Sequence, residues 1–296
     1  MILLVLLACP TLQDVGMLTE KLRSDAVEER DEAARKLKTL GAAALPALKE
    51  LSKSADADLA SRAREIVDAI ETALAAQAFR KMEDVLQTAK TVTLSVDVTW
   101  RKKNGRFSES RFQGTGTILL KEGGKTRLSI KGTVESSTKG KENPRREKES
   151  WIVCDGTLAE GDYIALNGES SGGTRGPAAG KTFFCTLLAR GGVGAYTQGW
   201  MFNAEPDLDK IARMSELRLE ETGKGERVLS YTLEIAGVGS PLSVKAWLSE
   251  DGRRVLKRTM TSKDGGDERE ITETYAGLEI DADIPDETFK RPDAKK

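Results

Sequence analysis

The sequence predicts an α+β protein: a short helical module followed by one large antiparallel sheet with helices against its apolar face. Two observations carry this. Apolar residues recur at helical spacing up to about Lys90, and at every second position after it. The later half is also punctuated by Gly-containing turn signals that read as hairpins, and strands joined by hairpins run antiparallel. A one-sided sheet of that size must cover its apolar face, by curling or by taking in helices.

The chain begins MILLVLLACP. Residues 2–8 are all apolar, a run far short of the roughly 20 residues that span a bilayer as a helix. No Lys or Arg precedes it. An apolar core ending in small residues reads as a secretory leader, so residues 1–9 are expected to be an address segment and the mature protein to be exported. Leu6-Leu7-Ala8-Cys9 resembles a bacterial lipobox, which makes Cys9 a lipidation candidate and the lipid a membrane anchor.

Residues 10–78 form the expected helical module, rich in Ala, Leu, Glu, Lys and Arg. Gly41 ends one helical segment, and Pro46 suits the first turn of the next. A shift of 29 positions aligns Leu22 with Leu51, Ala34 with Ala63 and Leu37 with Ile66, the trace of repeated two-helix units. The stretch LRSDAVEERDEAARKLKTLGAAALPALKEL resembles HEAT-type repeats in its Arg-x-x-Ala-Ala-x-x-Leu run and its Leu-Gly-x-x-Ala-Leu-Pro turn. From Leu59 the apolar positions continue through 63, 66, 70, 74, 78, 82, 85 and 89, and no Gly or Pro stands between Pro46 and Gly105. One long helix without a flexible linker is expected to enter the domain at 79–296.

In that domain Val92, Leu94, Val96, Val98 and Trp100 share one face. So do Leu128, Ile130 and Val134; Leu229, Tyr231, Leu233 and Ile235; and Leu242, Val244, Ala246 and Leu248. Turn signals at Asn104-Gly105, Glu122-Gly123-Gly124, Asp155-Gly156, Asp251-Gly252 and Asp264-Gly265-Gly266 separate them. Residues 181–190 and 207–214 are the two candidate helices.

Composition narrows the chemistry. There is no histidine, which removes Ser-His and Cys-His nucleophile pairs and every His-ligated metal site. Cysteines at 9, 154 and 185 are too few for a Cys₄ site, so no metal and no cofactor are expected. If Cys9 is lipidated or removed, Cys154 and Cys185 are a candidate disulfide in an oxidising compartment. With 46 basic and 47 acidic residues interspersed, no basic stripe suits nucleic acid. Gly180-Lys181-Thr182 ends like a phosphate loop, but Arg175 stands where its first glycine belongs and a polar loop precedes it. Acidic pairs such as Glu220-Glu221 flank turns on polar faces, so no catalytic set emerges.

A series of phrases in order says more. FQGTGTILLKEGGKTRLSI is followed by ESWIVCDGTLAEGDY, KTFFCTLLARGG, LSYTLEIAGVGSPLSVKAWLSEDGRRVLKRTM and ADIPDETFKRP. Over residues 79–292 this resembles the LolA/LolB-like family of outer-membrane lipoprotein carriers and sorting proteins. The matching features are a Gly-x-Ile strand, the Val153-Cys154-Asp155-Gly156 turn, an apolar helix from Phe183 to Leu188, a Trp247 to Gly252 hairpin and a closing Pro285 to Pro292 stretch. The carriers have an Arg-Pro pair where Lys121-Glu122-Gly123 stands here.

The resemblance implies a strongly curved antiparallel sheet, an incomplete β-barrel, with helices on its concave face. It implies a non-enzymatic protein of the periplasm or cell envelope that holds a lipid or lipoprotein acyl chain, as in outer-membrane lipoprotein sorting. The candidate cavity residues are Val96, Val98, Trp100, Ile118, Leu128, Ile130, Phe183, Phe184, Leu187, Leu188, Trp200, Met201 and Phe202. Gly-rich segments at 171–180 and 191–194 flank the apolar helix and would let it shift as a lid. The alternative is an envelope scaffold: a filled sheet, with the helical module docking a protein partner.

Overall fold

The computed structural model describes residues 12–105, 108–164, 170–177, 180–196, 207–222, 225–236 and 240–290. Two compact units divide after Gln77.

The first unit is helical. It contains α1 (Leu12–Lys21), α2 (Val27–Leu40), a 3₁₀ turn (Gly41–Ala44), α3 (Leu45–Leu51) and most of α4 (Ala57–Thr88). Gly41 closes α2 at φ 58°, and Pro46 stands in the first turn of α3, where its missing N–H is no loss. Asp56 Oδ1 accepts from the N–H groups of Asp58 and Leu59, capping α4. Leu22, Leu37, Leu48, Ala63, Ile66 and Ile70 make a continuous core.

The second unit begins with the last residues of α4 and is built on antiparallel strands. In chain order these are β1 (Thr91–Asn104), β2 (Ser108–Lys121), β3 (Lys125–Thr138), β4 (Lys141–Glu142), β5 (Arg146–Asp155), β6 (Leu158–Ile164) and β7 (Ser170–Pro177). Helices α5 (Lys181–Tyr196) and α6 (Leu208–Ile211) follow. The rest are β8 (Ala212–Glu221), β9 (Arg227–Ile235), β10 (Leu242–Leu248), β11 (Val255–Asp264) and β12 (Asp267–Ile280), then a 3₁₀ turn at Asp286–Phe289.

Among the described residues these strands make one open, curved sheet in the order β7-β6-β5-β3-β2-β1-β12-β11-β10-β9-β8, with β4 paired to β3. The predicted alternation is realised. Val92, Leu94, Val96, Val98 and Trp100 are buried, as are Leu229, Tyr231, Leu233, Ile235, Leu242, Val244, Ala246 and Leu248. Leu128 and Ile130 are buried, whereas Val134, nearer the end of β3, is only half-buried.

Two expectations are corrected here. The helix expected at 207–214 is only one turn, α6, which gives way at Ala212 to β8; that strand pairs with β9 from Ala212↔Ile235 to Glu221↔Arg227. The free edge of β9 supplies a ladder that outweighs local helical preference. The polar stretch before Lys181 contains a strand, β7, at the sheet edge, where glycine and proline are tolerated.

The Asp155-Gly156 turn shows how local chemistry sets a hairpin. Asp155 Oδ1 accepts from the N–H groups of Thr157 and Leu158, at 2.8 and 2.9 Å. These backbone donors, followed by the Thr157 hydroxyl, hold its carboxyl below the usual range. Gly156 takes φ 102°, and a side chain there would meet Gly123 O.

Candidate functional site

Helix α5 lies against the apolar face. Phe183, Phe184, Cys185, Leu187, Leu188 and Ala189 are all buried, and Phe183 meets Phe184 edge-on. Its N-terminal end is fastened to the end of α4. Lys181 Nζ donates to Gln87 O and Ala89 O, placing a cation on the last carbonyls of that helix. Gln87 Nε2 donates to Thr186 Oγ1 at 3.2 Å, and the Cys185 thiol donates to Leu86 O.

The other end of α5 is held differently. Helical geometry breaks at Gly192, where φ is 58° and ψ −154°. The carbonyls of the preceding turn are taken up by side chains from the sheet. Arg258 Nη1 donates to Leu188 O at 3.0 Å, Arg258 Nη2 to Ala189 O at 2.8 Å, and the Tyr231 hydroxyl to Arg190 O at 2.6 Å. Arg190 Nη1 reaches onward to Ala212 O at the start of β8.

Arg258 is itself part of a buried polar group. Its Nη1 lies 3.7 Å from Glu273 Oε2 and 3.1 Å from the Tyr275 hydroxyl, which donates to the same carboxylate. Burial works against the Arg258 charge, but Tyr275, Tyr231 and Glu273 outweigh it, so the guanidinium stays protonated. Burial also pushes the Tyr275 phenol well above its usual range, keeping it a donor. Gly192 fits here because it has no side chain: a Cβ would collide with Glu273 Oε2 and Arg258 Nη1.

Beside this group is a cleft of about 30 Å³, lined by Met82, Leu86, Leu94, Leu188, Ala189 and Leu278 on its apolar side. Arg253, Arg254, Val255, Arg258 and Tyr275 complete the lining. A space of that size has room for a water molecule but falls far short of an acyl chain. Larger depressions are open to solvent: one of about 400 Å³ around Glu109, Arg111, Glu135 and Arg145 is polar, and two of about 370 Å³ are bordered by Val96 and by Trp100 with Phe112.

Of the residues expected to line a cavity, Leu188 borders this cleft. Val96, Val98, Trp100, Ile118, Leu128, Ile130, Phe183, Phe184 and Leu187 are buried, and Trp100 stacks on Phe112 with ring centres 6.2 Å apart. Trp200, Met201, Phe202 and Cys9 lie outside the described residues. The disulfide expectation is corrected: Cys154 and Cys185 are both free thiols. Cys154 Sγ donates to Gly124 O at 3.0 Å, while Cys185 is turned to α4. Each sulfur has its own carbonyl, on a different element.

The buried Arg258–Glu273 pair was not among the expected site residues, although its signal is in the strands. Arg258 occupies the same alternation phase as buried Met260, and Glu273 the phase of Ile271 and Tyr275. Among the described residues no group of His, Cys, Asp or Glu could hold a metal ion, and no helix is long and apolar enough to cross a membrane.

No protein-family model matches the chain, and no curated protein matches it. Solved structures do. The LolA superfamily protein NE2245 from Nitrosomonas europaea is 11% identical, with 73% of this chain and 97% of that one covered and a TM-score of 0.28. A DUF1329 family protein from Desulfovibrio piger is 10% identical over 74% and 97%, TM-score 0.29. A domain assigned to outer membrane lipoprotein sorting, from Vibrio parahaemolyticus, is 11% identical over 73% and 97%, also TM-score 0.29. Such scores transfer no residue role to this chain; the architecture above rests on its own strand order and registers.

Proposed function

We propose that the second unit is a non-enzymatic binding domain of the cell envelope that takes an acyl chain, from a lipid or a lipoprotein, between α5 and the sheet. One observation carries this reading. The helix covering the apolar face breaks at a glycine kink, and the carbonyls of the turn before the break are held by sheet side chains, beside a largely apolar cleft. Those few hydrogen bonds hold α5 with its Leu188 in the same cleft lining as Leu94 of β1, so α5 is the element that would move to enlarge the cleft. Burying a methylene is worth about 0.8 kcal/mol, so a chain of about ten can repay the ordering it imposes. On this reading residues 1–9 direct export, Cys9 is the site of a lipid anchor, and lipoprotein sorting is the narrower role to test.

A second reading is favoured by the size of the cleft. At about 30 Å³ the sheet is nearly filled, as a scaffold would be, and the helical unit would then dock a protein partner.

An environment-sensitive fluorescent fatty acid, titrated into the full chain, separates the two. The acyl reading expects saturable binding that weakens about tenfold or more in Leu278→Asp, a change at a half-buried rim position. Absence of saturable binding to the unmodified protein removes this reading and leaves the scaffold.

A further inference from the structure

The cleft has two unlike walls. Met82, Leu86, Leu94, Leu188 and Leu278 form an apolar one, drawn from α4, β1, α5 and β12. The same lining also includes three arginines within six positions, Arg253, Arg254 and Arg258. Arg253 and Arg254 are exposed, and neither side chain makes an ion pair among the described residues. The nearby Asp251 carboxylate accepts from the Ser249 hydroxyl and from the backbone N–H of Arg253, and feels the charges of Arg254 and Arg253 without forming an ion pair with either. Deeper in the wall, Arg258 Nε is buried and has no hydrogen-bond partner among the described residues. An unfilled buried donor is costly to keep, and an arriving acceptor oxygen would recover that loss.

We propose that this cleft takes a long-chain carboxylate, a fatty-acid anion, with its chain on the leucine wall and its head on the arginine wall. The inference rests on the acyl-binding reading above and adds a charged head to it. A guanidinium presents parallel N–H donors that match the two oxygens of a carboxylate, and arginine stays charged throughout the working pH range. A neutral hydroxyl head could accept from one of these N–H groups but would leave the arginine charges without a counter-ion. The chain enters as α5 and Met82 give way, since the closed cleft has no room for it.

The test compares dodecanoate with dodecanol by titration calorimetry on the full chain, below the micelle limit of the acid. The unmodified protein should bind dodecanoate about tenfold more tightly than dodecanol, and added salt should narrow the gap. Arg253→Gln combined with Arg254→Gln should shrink the preference several-fold and leave dodecanol affinity unchanged; both positions are exposed, so folding is not at stake. Equal affinity for the two compounds, or a preference unaltered in the double variant, overturns the carboxylate inference while the acyl-binding reading stands. Failure of both compounds to bind overturns the two together.

Discussion

Arg258 on β11 and Glu273 on β12 are register partners on the buried face of the sheet, with side chains 1% and 0% exposed. A pair so deeply buried contributes little net stability, because desolvation offsets attraction. Its effect is positional. It points one guanidinium at the carbonyls of Leu188 and Ala189, in the turn before the Gly192 kink of α5.

Removing one partner should therefore be worse than removing both. Arg258→Met leaves the Glu273 carboxylate buried beside an apolar chain and should cost about 3–5 kcal/mol in urea unfolding. Arg258→Met with Glu273→Leu should regain most of that. A single variant within about 1 kcal/mol of the unmodified protein would contradict the burial described here.

Gly192→Ala should destabilise by about 3 kcal/mol or more, through a glycine-only backbone conformation and a clash with Glu273 and Arg258. Gly180→Ala, before α5, meets nothing within 4 Å and should be nearly neutral. Hydrogen exchange gives the sharper readout: only the Gly192 variant should lose protection along α5.

How much of this was legible in the sequence depended on which residues decided it. The face shared by Val92 to Trp100 follows from alternation, and α5 from the apolar run at 183–188, because burial on one side writes itself into spacing. Strand β8 was missed because ARMSELRLEE alternates weakly and its state is decided by the free edge of β9, far along the fold rather than nearby in sequence. The Arg258–Glu273 pair was readable only as two charges in apolar phase. Their meeting needed the β11–β12 register, which follows from the Asp264 to Asp267 turn.

Cys154 and Cys185 should be inert in the folded protein. Burial pushes the Cys185 thiol up to about 11 and raises Cys154 as well, so neither is thiolate at pH 8. Alkylation with iodoacetamide followed by peptide mass spectrometry should find both unmodified in native protein and both modified in urea without reductant. Modification that appears only after reduction would indicate a disulfide.

Asp286 should mark the acid limb of stability. Hydrogen bonds from Lys121 and then Lys125 hold its carboxyl at about 2, below its ordinary 3.8. A lowered carboxylate favours the folded state above its unfolded value, and the benefit fades as pH falls from 3.8 toward 2. Asp286→Asn should flatten melting temperature over that window while leaving its pH dependence above 5 unchanged. Because the carboxylate is exposed, the effect should shrink in high salt.

The strand order also has a consequence for how the chain is made. Strand β1 ends up in the interior of the sheet, paired on one side with its hairpin neighbour β2 and on the other with β12, which is synthesised after every other described strand of the sheet. A ribosome therefore delivers β2 and β3 early, yet leaves the other flank of a 14-residue strand bare until the C-terminal segment emerges. That flank is a template for any passing strand, including that of a sister chain. Pairing Val92 with Ile280 is the kind of distant closure that slows folding. A nascent chain in this state would need to be kept apart from its neighbours until release. Truncation before Asp267 would not trim an edge. It would cut the sheet in two.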